Sequence, residues 1–304
     1  EVRKTDAEAA AKWGLAYPMG ARMMSGDTKL HQKLETQLAN YVGKPAGLLV
    51  NYGYQGVLSA IDALLTRHDV VVYDAESHAC IVDAVRMHMG KRFAFTHNDV
   101  ASLEKCLVRA KRLTDESGGG ILVITEGVFG MRGDQGKLRE ICTLKEKYGF
   151  RLFIDDAHGF GMLGKTGAGA AEEQNVTDDV DIYFSTFAKS MALIGGFIAA
   201  QPEVIQFLKY NMRSQIFAKS LPMPLVEGLL KRFELLRDKP ELREKLWHNV
   251  RLLQGGLKER GFDIGDTNTC VTPVYMYGEV EEAMALVKDM RDNYGVFCSM
   301  VGYP

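Results

Sequence analysis

Residues 181–190 read Asp181-Ile182-Tyr183-Phe184-Ser185-Thr186-Phe187-Ala188-Lys189-Ser190, and the pair Gly195-Gly196 follows shortly after. The first part, 181–184, is apolar and β-prone, which predicts a buried strand. An ammonium group beside such a strand is expensive to remove from water unless it is paired or used. Lys189 is therefore either a partly desolvated nucleophile, of the kind that forms Schiff bases with carbonyl compounds, or a lysine on a solvated loop. The rest of the chain is needed to decide between the two.

The composition is that of a globular protein without a strong charge field. Of the 304 residues, 46% are hydrophobic and 25% are charged, and the formal net charge is -2. This length allows one large α/β domain and a smaller second domain. Because lysine and arginine are dispersed along the chain, the sequence argues against nucleic acid and anionic membrane surfaces as partners.

The five cysteines are scattered and form no CxxC pair. This argues against a disulfide framework and a structural zinc site and favours a reducing compartment, so we expect a cytoplasmic protein without a bound metal. No run approaches the ~18 apolar residues of a membrane span, and no signal-peptide pattern opens the chain. The chain begins at Glu1 rather than Met and stops at Pro304 after a strand-like run, which suggests a piece of a longer polypeptide.

Short apolar segments alternate with amphipathic segments through the first two thirds of the chain. The predicted strands lie at 47–50, 70–74, 93–95, 121–126, 151–155, 181–186 and 196–200. The predicted helices lie at 28–42, 53–66, 100–113 and 136–148, with Asp27 as the expected N-cap of the first. This alternation predicts an α/β fold in which helices cover both faces of a mostly parallel central sheet.

Polar residues cluster directly after five of the predicted strands. They are Asn51 and Tyr52, Asp74 to His78, Glu126, Asp155 to His158, and Thr186 with Lys189. Ligands of such sheets bind beyond the carboxyl ends of the strands, so these residues are expected to share one site.

The pattern changes after Leu221. The next predicted elements are a helix over 242–257, a strand over 271–275 and a helix from 280 onward. We therefore expect a large domain over residues 1–221 and a small α+β domain over residues 222–304.

The run Gly159-Phe160-Gly161-Met162-Leu163-Gly164-Lys165-Thr166 fits two nucleotide-binding patterns, G-x-G-x-x-G and the P-loop. Both require the loop to leave a strand directly and to open a helix whose N-terminus binds phosphate. Here Asp156-Ala157-His158 intervenes, and Gly167 and Gly169 fall where the helix should begin. A glycine-rich structural loop is favoured, and a P-loop nucleotide-binding protein stays open as an alternative.

Four motifs, in order along the chain, resemble one known family. They are Ser77-His78-Ala79, Thr125-Glu126-Gly127-Val128-Phe129, Asp155-Asp156-Ala157-His158-Gly159, and Thr186-Phe187-Ala188-Lys189-Ser190 with Gly195-Gly196. Together they look like the α-oxoamine synthases, fold-type I enzymes that use pyridoxal 5'-phosphate (PLP). These enzymes condense an amino acid with an acyl-CoA and release CO₂. The resemblance runs from about Ala21 to the C-terminus and implies the PLP-dependent transferase fold of type I.

The resemblance also implies roles for individual residues. Lys189 would hold PLP as a Schiff base and then act as the base on the α-proton of the substrate. Asp155 would pair with the pyridine nitrogen and keep it protonated, which makes the ring an electron sink. His158 would hydrogen-bond the phenolic oxygen and polarise the acyl carbonyl, and His78 would stack on the ring.

The phosphate is expected at the Asn51-Tyr52 turn and the Thr186 hydroxyl. Some positions depart from the family pattern. Ala188 and Gly130 stand where serines are common, and Ala218-Lys219 stands where hydroxyl residues of the neighbouring subunit usually reach the phosphate. Lys219 would then be a cationic contact in their place.

The implied reaction is a decarboxylating Claisen condensation in a homodimer with a shared active site. The runs 184–190 and 213–222 most resemble bacterial serine palmitoyltransferases of sphingolipid biosynthesis, which implies L-serine and palmitoyl-CoA as substrates and 3-ketosphinganine as product. Glycine C-acetyltransferase, or 2-amino-3-ketobutyrate CoA ligase, is the alternative within the family. The family's carboxylate-binding arginine is expected beyond Pro304.

Two further expectations follow from the resemblance. A long acyl-CoA substrate would allow peripheral contact with the inner membrane face. A non-catalytic subunit is disfavoured, because Lys189, Asp155 and His158 are all present.

Overall fold

The computed structural model describes residues 1–302, so Tyr303 and Pro304, at the end of the predicted small domain, lie outside the described residues. The strands are Ala46–Val50 (β1), Val70–Asp74 (β2), Lys91–Phe95 (β3), Ile121–Glu126 (β4), Arg151–Asp155 (β5), Ile182–Thr186 (β6) and Gly196–Ala200 (β7). The longer helices are Val2–Trp13 (α1), Lys29–Tyr41 (α2), Gly53–Leu64 (α3), Ala79–Met87 (α4), Val100–Ser117 (α5), Pro202–Asn211 (α9), Met223–Asp238 (α11), Pro240–Glu259 (α12) and Val280–Tyr294 (α13). The short helices are Leu138–Thr143 (α6), Lys145–Tyr148 (α7), Ala170–Glu173 (α8) and Arg213–Ile216 (α10).

The seven strands form one sheet in the order β1-β7-β6-β5-β4-β2-β3. β7 runs antiparallel to both β6 and β1, and the other four strand pairs are parallel. β7 reverses because the connection 187–195 is too short for the crossover that a parallel partner needs. The predicted α/β fold with a mostly parallel sheet is confirmed.

Side chains of successive strand residues alternate between two buried cores, one on each face of the sheet. In β2, Val70 and Val72 contribute to the core beneath α2 and α5, whereas Val71 contributes to the core beneath α3 and α4. Strands with apolar residues on both faces require helices on both sides, which is why their sequences read as continuous apolar runs.

α11 packs into the first of these cores through Val226, Leu229 and Phe233. The predicted strand at 271–275 is wrong: this segment belongs to no sheet in the described residues. Its backbone hydrogen bonds go elsewhere, since the Val271 N–H donates to the Thr269 hydroxyl and the Tyr275 N–H donates to the Asp263 carbonyl. The division into two domains stays a prediction.

The N-cap of α2 also differs from the expected one. Thr28 is the cap, and its hydroxyl accepts the His31 N–H. The Asp27 carboxylate instead pairs with Arg22 at 2.7 Å and with Lys209 at 2.8 Å. Two cations compete successfully for a carboxylate that the sequence assigned to the helix N-terminus.

None of the helices within residues 1–302 has the length and apolarity needed to cross a membrane.

Candidate active site

The carboxyl ends of β1, β2, β4, β5 and β6 lie along one edge of the sheet, because these strands run in one direction. The predicted site residues follow these ends, as the strand argument required. They are Asn51 and Tyr52 after β1, His78 after β2, Asp155 and His158 at β5, and Thr186 and Lys189 at β6. Since β7 is reversed, Gly195 and Gly196 begin it at the same edge.

Asp155 is the last residue of β5 and is buried. Its Oδ1 accepts the Ala157 N–H at 3.0 Å, and its Oδ2 lies 3.9 Å from the Cys80 Sγ. Burial raises the pKa of Asp155 to about 6, while the Ala157 N–H, the Lys189 ammonium and the Cys80 thiol oppose this rise. Because Oδ2 has only a weak thiol partner, a cation beside it would be bound and would favour the ionised carboxylate.

The adjacent Asp156 is already engaged within the protein. Its Oδ2 accepts the Ala170 N–H at 2.8 Å and the Tyr183 hydroxyl at 2.9 Å. Burial raises the pKa of Asp156 to about 7, and those two hydrogen bonds oppose the rise. Among the described residues the Asp156 Oδ1 has no hydrogen-bond partner either, but the residue is fully buried, so Asp155, on which the Lys189 charge acts, is the aspartate assigned to the ligand.

Glu126 lies beside Asp155, because the two residues are register partners on neighbouring strands. Its Oε1 accepts the backbone N–H of His78. Burial and the charge of Asp155 hold the pKa of Glu126 well above its ordinary value. The sequence placed Glu126 at the edge but gave it no role, and the structure shows that it supports the His78 turn.

His78 opens α4, and its Nδ1 accepts the Cys80 N–H at 3.2 Å with the Cys80 Sγ at 3.0 Å. Partial removal from water and the Lys189 ammonium both lower the pKa of His78. The ring is therefore neutral, and the residue is exposed to solvent. Cys80 was missed in the sequence, where its only signal is its position two residues after His78.

His158 lies against Gly130, which is in the loop that follows β4. A Cβ atom added to Gly130 would lie 2.3 Å from the His158 Nε2, so no other residue fits here without moving the ring. Burial and, to a smaller extent, the charge of Lys189 lower the pKa of His158 to about 4. The imidazole is therefore neutral and can donate or accept one hydrogen bond.

Lys189 lies in the turn between β6 and β7, and its side chain is exposed. Of the two environments that the sequence left open for Lys189, the structure shows the solvent-exposed loop. The ammonium nevertheless lowers the pKa values of Asp155, His78 and His158. One cation acting on all three groups shows that the loops converge.

The N-terminus of α3 lies beside Thr186. A Cβ atom on Gly53 would lie 2.9 Å from the Thr186 Oγ1, so glycine leaves the space between helix and strand open. The Thr186 hydroxyl donates to the Gly195 carbonyl at 3.0 Å. Asn51 donates its side-chain amide to the Lys219 carbonyl, and the Lys219 Nζ is exposed and 3.2 Å from the Met19 Sδ. A helix N-terminus with a hydroxyl beside it suits a phosphate.

The glycine-rich run 159–166 and the residues after it bind an anion, but this anion is a carboxylate side chain of the protein itself. The Glu172 carboxylate accepts the N–H groups of Thr166 at 3.1 Å and Ala168 at 3.0 Å, and the Thr166 hydroxyl at 2.9 Å. Gly164 donates to Glu173 at 3.0 Å. The position that a nucleotide phosphate would take in a P-loop is filled, which argues against the nucleotide-binding alternative.

Comparison with known proteins supports a specific family. The chain is 62% identical over all 304 residues to a cysteate-C-fatty acyltransferase from Capnocytophaga ochracea, and covers 72% of that protein. It is 36% identical to a serine palmitoyltransferase from Sphingobacterium spiritivorum over 98% of this chain and 72% of the relative. A solved serine palmitoyltransferase from S. paucimobilis with a bound PLP-myriocin aldimine superposes with a TM-score of 0.89 at 32% identity, over 98% of this chain and 76% of that one.

A family model described as aminotransferase class I and II matches residues 2–304. The chain belongs to this family, as an α-oxoamine synthase. This protein is therefore a PLP-dependent acyltransferase.

The site of the synthase fits PLP. A buried carboxylate with a free oxygen suits the ring nitrogen, and an amine at Lys189 suits the aldehyde carbon. The space between Gly53 and Thr186, which a Cβ atom would fill, suits the phosphate. All three features lie at the same edge of the sheet.

Proposed function

We propose that the synthase transfers a fatty acyl group to the α-carbon of L-cysteate, with loss of CO₂. The observation that carries this proposal is the 62% identity to a cysteate-C-fatty acyltransferase along the whole chain, against 36% to a serine palmitoyltransferase. L-Cysteate therefore takes the place of the L-serine predicted from the sequence. Serine and glycine, the substrates of the two sequence-based alternatives, become competitors in the test.

The reaction forms one carbon–carbon bond between the amino acid Cα and the acyl carbon. The thioester C–S bond breaks and releases a thiol, the Cα carboxylate leaves as CO₂, and Cα then takes up a proton in place of the carboxylate. PLP supplies the electron sink that makes the Cα–H and Cα–carboxylate bonds breakable. The remaining requirements are met by side chains.

We assign these roles to the residues at the sheet edge. The Lys189 Nζ would hold the cofactor and take the Cα proton, and the Asp155 carboxylate would hold the protonated ring nitrogen. His78 would stack on the ring. His158 is neutral, so it can hydrogen-bond an oxygen without adding a charge.

The phosphate end of the cofactor is assigned to the loop region at the start of α3. The backbone N–H groups at the start of α3, after Asn51 and Tyr52, and the Thr186 hydroxyl would hold it, together with the Lys219 ammonium of the neighbouring subunit. In this structure the Thr186 hydroxyl donates to Gly195, so it must rotate to donate to a phosphate oxygen.

The test is an acyl-transfer assay with palmitoyl thioester and, separately, L-cysteate, L-serine and glycine. We expect kcat/KM for L-cysteate to exceed that for L-serine roughly tenfold or more, because a site that neutralises a sulfonate discriminates against a hydroxyl. The purified protein should show a visible band of bound cofactor, and Lys189→Ala should abolish the band and the activity.

Each contrary outcome has a defined meaning. Preference for serine would return the protein to the serine palmitoyltransferase reaction, and preference for glycine with acetyl-CoA to glycine C-acetyltransferase. Activity that survives in Lys189→Ala would refute the role of this lysine.

A further inference from the structure

His97 lies between two carboxylates at the same edge of the sheet. Its Nδ1 is 3.0 Å from the Asp74 Oδ1, and its Nε2 is 2.9 Å from the Asp134 Oδ2. The Asp74 side chain is fully buried, and 9% of the His97 side chain is exposed. Both ring nitrogens face acceptors, so the arrangement is satisfied only when both carry a proton.

Asn98 reinforces the same contacts. Its backbone N–H donates to the Asp74 Oδ2 at 3.0 Å, and its side-chain amide donates to the Asp134 Oδ2 at 2.9 Å. Asn98 has a positive φ of 50°, a conformation that asparagine tolerates better than most residues. The pair His97-Asn98 therefore binds both aspartates at once.

The two aspartates belong to loops that present different cofactor-site residues. Asp74 ends β2, and its Oδ1 and carbonyl accept the N–H groups of Glu76 and Ser77 in the turn that leads to His78. Asp134 lies in the loop after β4, and its carbonyl accepts the Phe129 N–H at 3.0 Å.

The His97 ring also packs edge-on against Phe129, with centroids 4.4 Å apart. Phe129 precedes Gly130, the residue in contact with His158. His97 therefore connects the turn that leads to His78 with the loop that contacts His158, without touching either histidine.

The charge of His97 is maintained by its neighbours. Burial disfavours the imidazolium, but hydrogen bonds to Asp134 and Asp74 outweigh burial and raise the pKa of His97 to about 9. Other titratable groups that face this cluster are Glu126, whose pKa burial raises, and Arg132, which lies near Asp134. Arg132 also pairs with Glu76 at 2.9 Å on the exposed side, so a weaker surface ion pair joins the same two loops.

We infer that His97 is a positioning residue of the PLP site, which as an imidazolium holds the loop after β2 and the loop after β4 at the spacing that places His78 and His158. It binds neither cofactor nor substrate. The inference depends on the use of PLP and does not depend on which amino acid is acylated.

The first test is made on the protein without added substrate. His97→Asn should raise the apparent PLP dissociation constant roughly tenfold and change the visible absorption of the bound cofactor. Asp134→Asn, which removes one acceptor only, should produce a smaller change in the same direction. The matched control is His68→Asn, because His68 is an exposed histidine away from the site, and it should leave both quantities unchanged.

The second test follows pH. The folded pKa of about 9 lies above the ordinary 6.5, so the stability that His97 contributes is fully present below about pH 6.5 and is lost as the pH rises through 9. The fall in apoprotein Tm between pH 7 and pH 10 should therefore be smaller in His97→Asn than in the wild type. Histidine NMR of the wild type should show one imidazole that titrates near pH 9 and is missing from the variant.

Normal PLP affinity and an unchanged absorption spectrum in a folded His97→Asn protein would overturn the inference. The same result in Asp134→Asn would do so if His97→Asn fails to fold. Titration of every histidine below pH 7.5 would remove its electrostatic basis.

Discussion

Among single residues, Gly130 and His158 show how closely one side chain controls another. Gly130→Ala would place a methyl group 2.3 Å from the present position of the His158 Nε2, so the ring must move. We expect kcat/KM to fall about 100-fold, because a displacement of about 1 Å in a catalytic group is enough for such a loss. Acyl-transfer kinetics measure the loss, and the visible spectrum reports whether the cofactor environment changes.

The control for this substitution is Gly255→Ala. Gly255 lies in α12 with no atom within 4 Å of an added Cβ, so alanine should be neutral or slightly stabilising there. If Gly130→Ala is as active as Gly255→Ala, His158 is not held in the position that the structure shows. The family's usual serine at position 130 would face the same collision, so Gly130→Ser should be no better than Gly130→Ala.

At the scale of elements, β2, β4, β5 and β7 have the bounds predicted from the sequence. Each has an apolar centre with polar or glycine residues at or beyond its ends, and such runs are informative because both faces are buried. α5 extends to Ser117, four residues beyond the prediction over 100–113, since its stop is the left-handed Gly118 and not the polar residues before it. The segment 271–275 has the composition of a strand, but no neighbouring strand pairs with it in the described residues.

The glycine-rich loop yields a prediction about Glu172, the carboxylate that occupies it. Glu172→Ala leaves three donors of Thr166 and Ala168 without their acceptor. We expect the free energy of unfolding to fall by about 1–2 kcal/mol, because the site is only partly shielded from water. Thermal denaturation measures the change, and inorganic phosphate should restore part of the Tm by taking the place of the carboxylate.

Glu146→Ala is the comparison for Glu172→Ala, since Glu146 is an exposed glutamate on α7. Equal Tm values for the two variants would show that the loop does not need an anion. Stabilisation of the wild type by ATP would contradict the occupied-loop interpretation directly.

Much of the site could be predicted because strand direction alone collects residues from distant parts of the sequence. Strand direction and the resemblance predicted Asp155, His158, His78 and Lys189 at this edge, where the structure places them; their roles stay predictions. The contacts of His97 and Cys80 could not be predicted, because they depend on how loops after different strands meet. The sequence could not decide whether Lys189 is exposed, because its distance from the last strand residue says nothing about which way a turn projects.

For the whole molecule, the predicted homodimer can be tested together with the role of Lys219. The proposal is that Lys219 of one subunit reaches the phosphate in the other. We expect Lys189→Ala chains, which are inactive alone, and Lys219→Ala chains, which are weakly active alone, to recover roughly a quarter of wild-type activity when mixed as an equal population of subunits. Half of such dimers are mixed, and each mixed dimer has one intact site of two.

Sedimentation of the wild type should show a dimer, and subunit exchange must be confirmed before the assay. Activity no greater than the average of the two parents would indicate that Lys219 serves its own chain, where Asn51 already holds its carbonyl. Full activity of Lys219→Ala alone would remove Lys219 from the phosphate site.

The reversed strand β7 also has a consequence for the order in which the chain is made. β1 lies at the edge of the sheet, and its partner is β7, about 150 residues later in the sequence. During synthesis β1 therefore leaves the ribosome long before the strand that will pair with it. Until residues 196–200 emerge, an apolar strand edge is open to aggregation or to a chaperone. When β7 pairs with β6 and β1, it completes the turn that carries Lys189. The nascent chain therefore forms this turn at the same time as the hydrogen bonds that join β1 to the sheet.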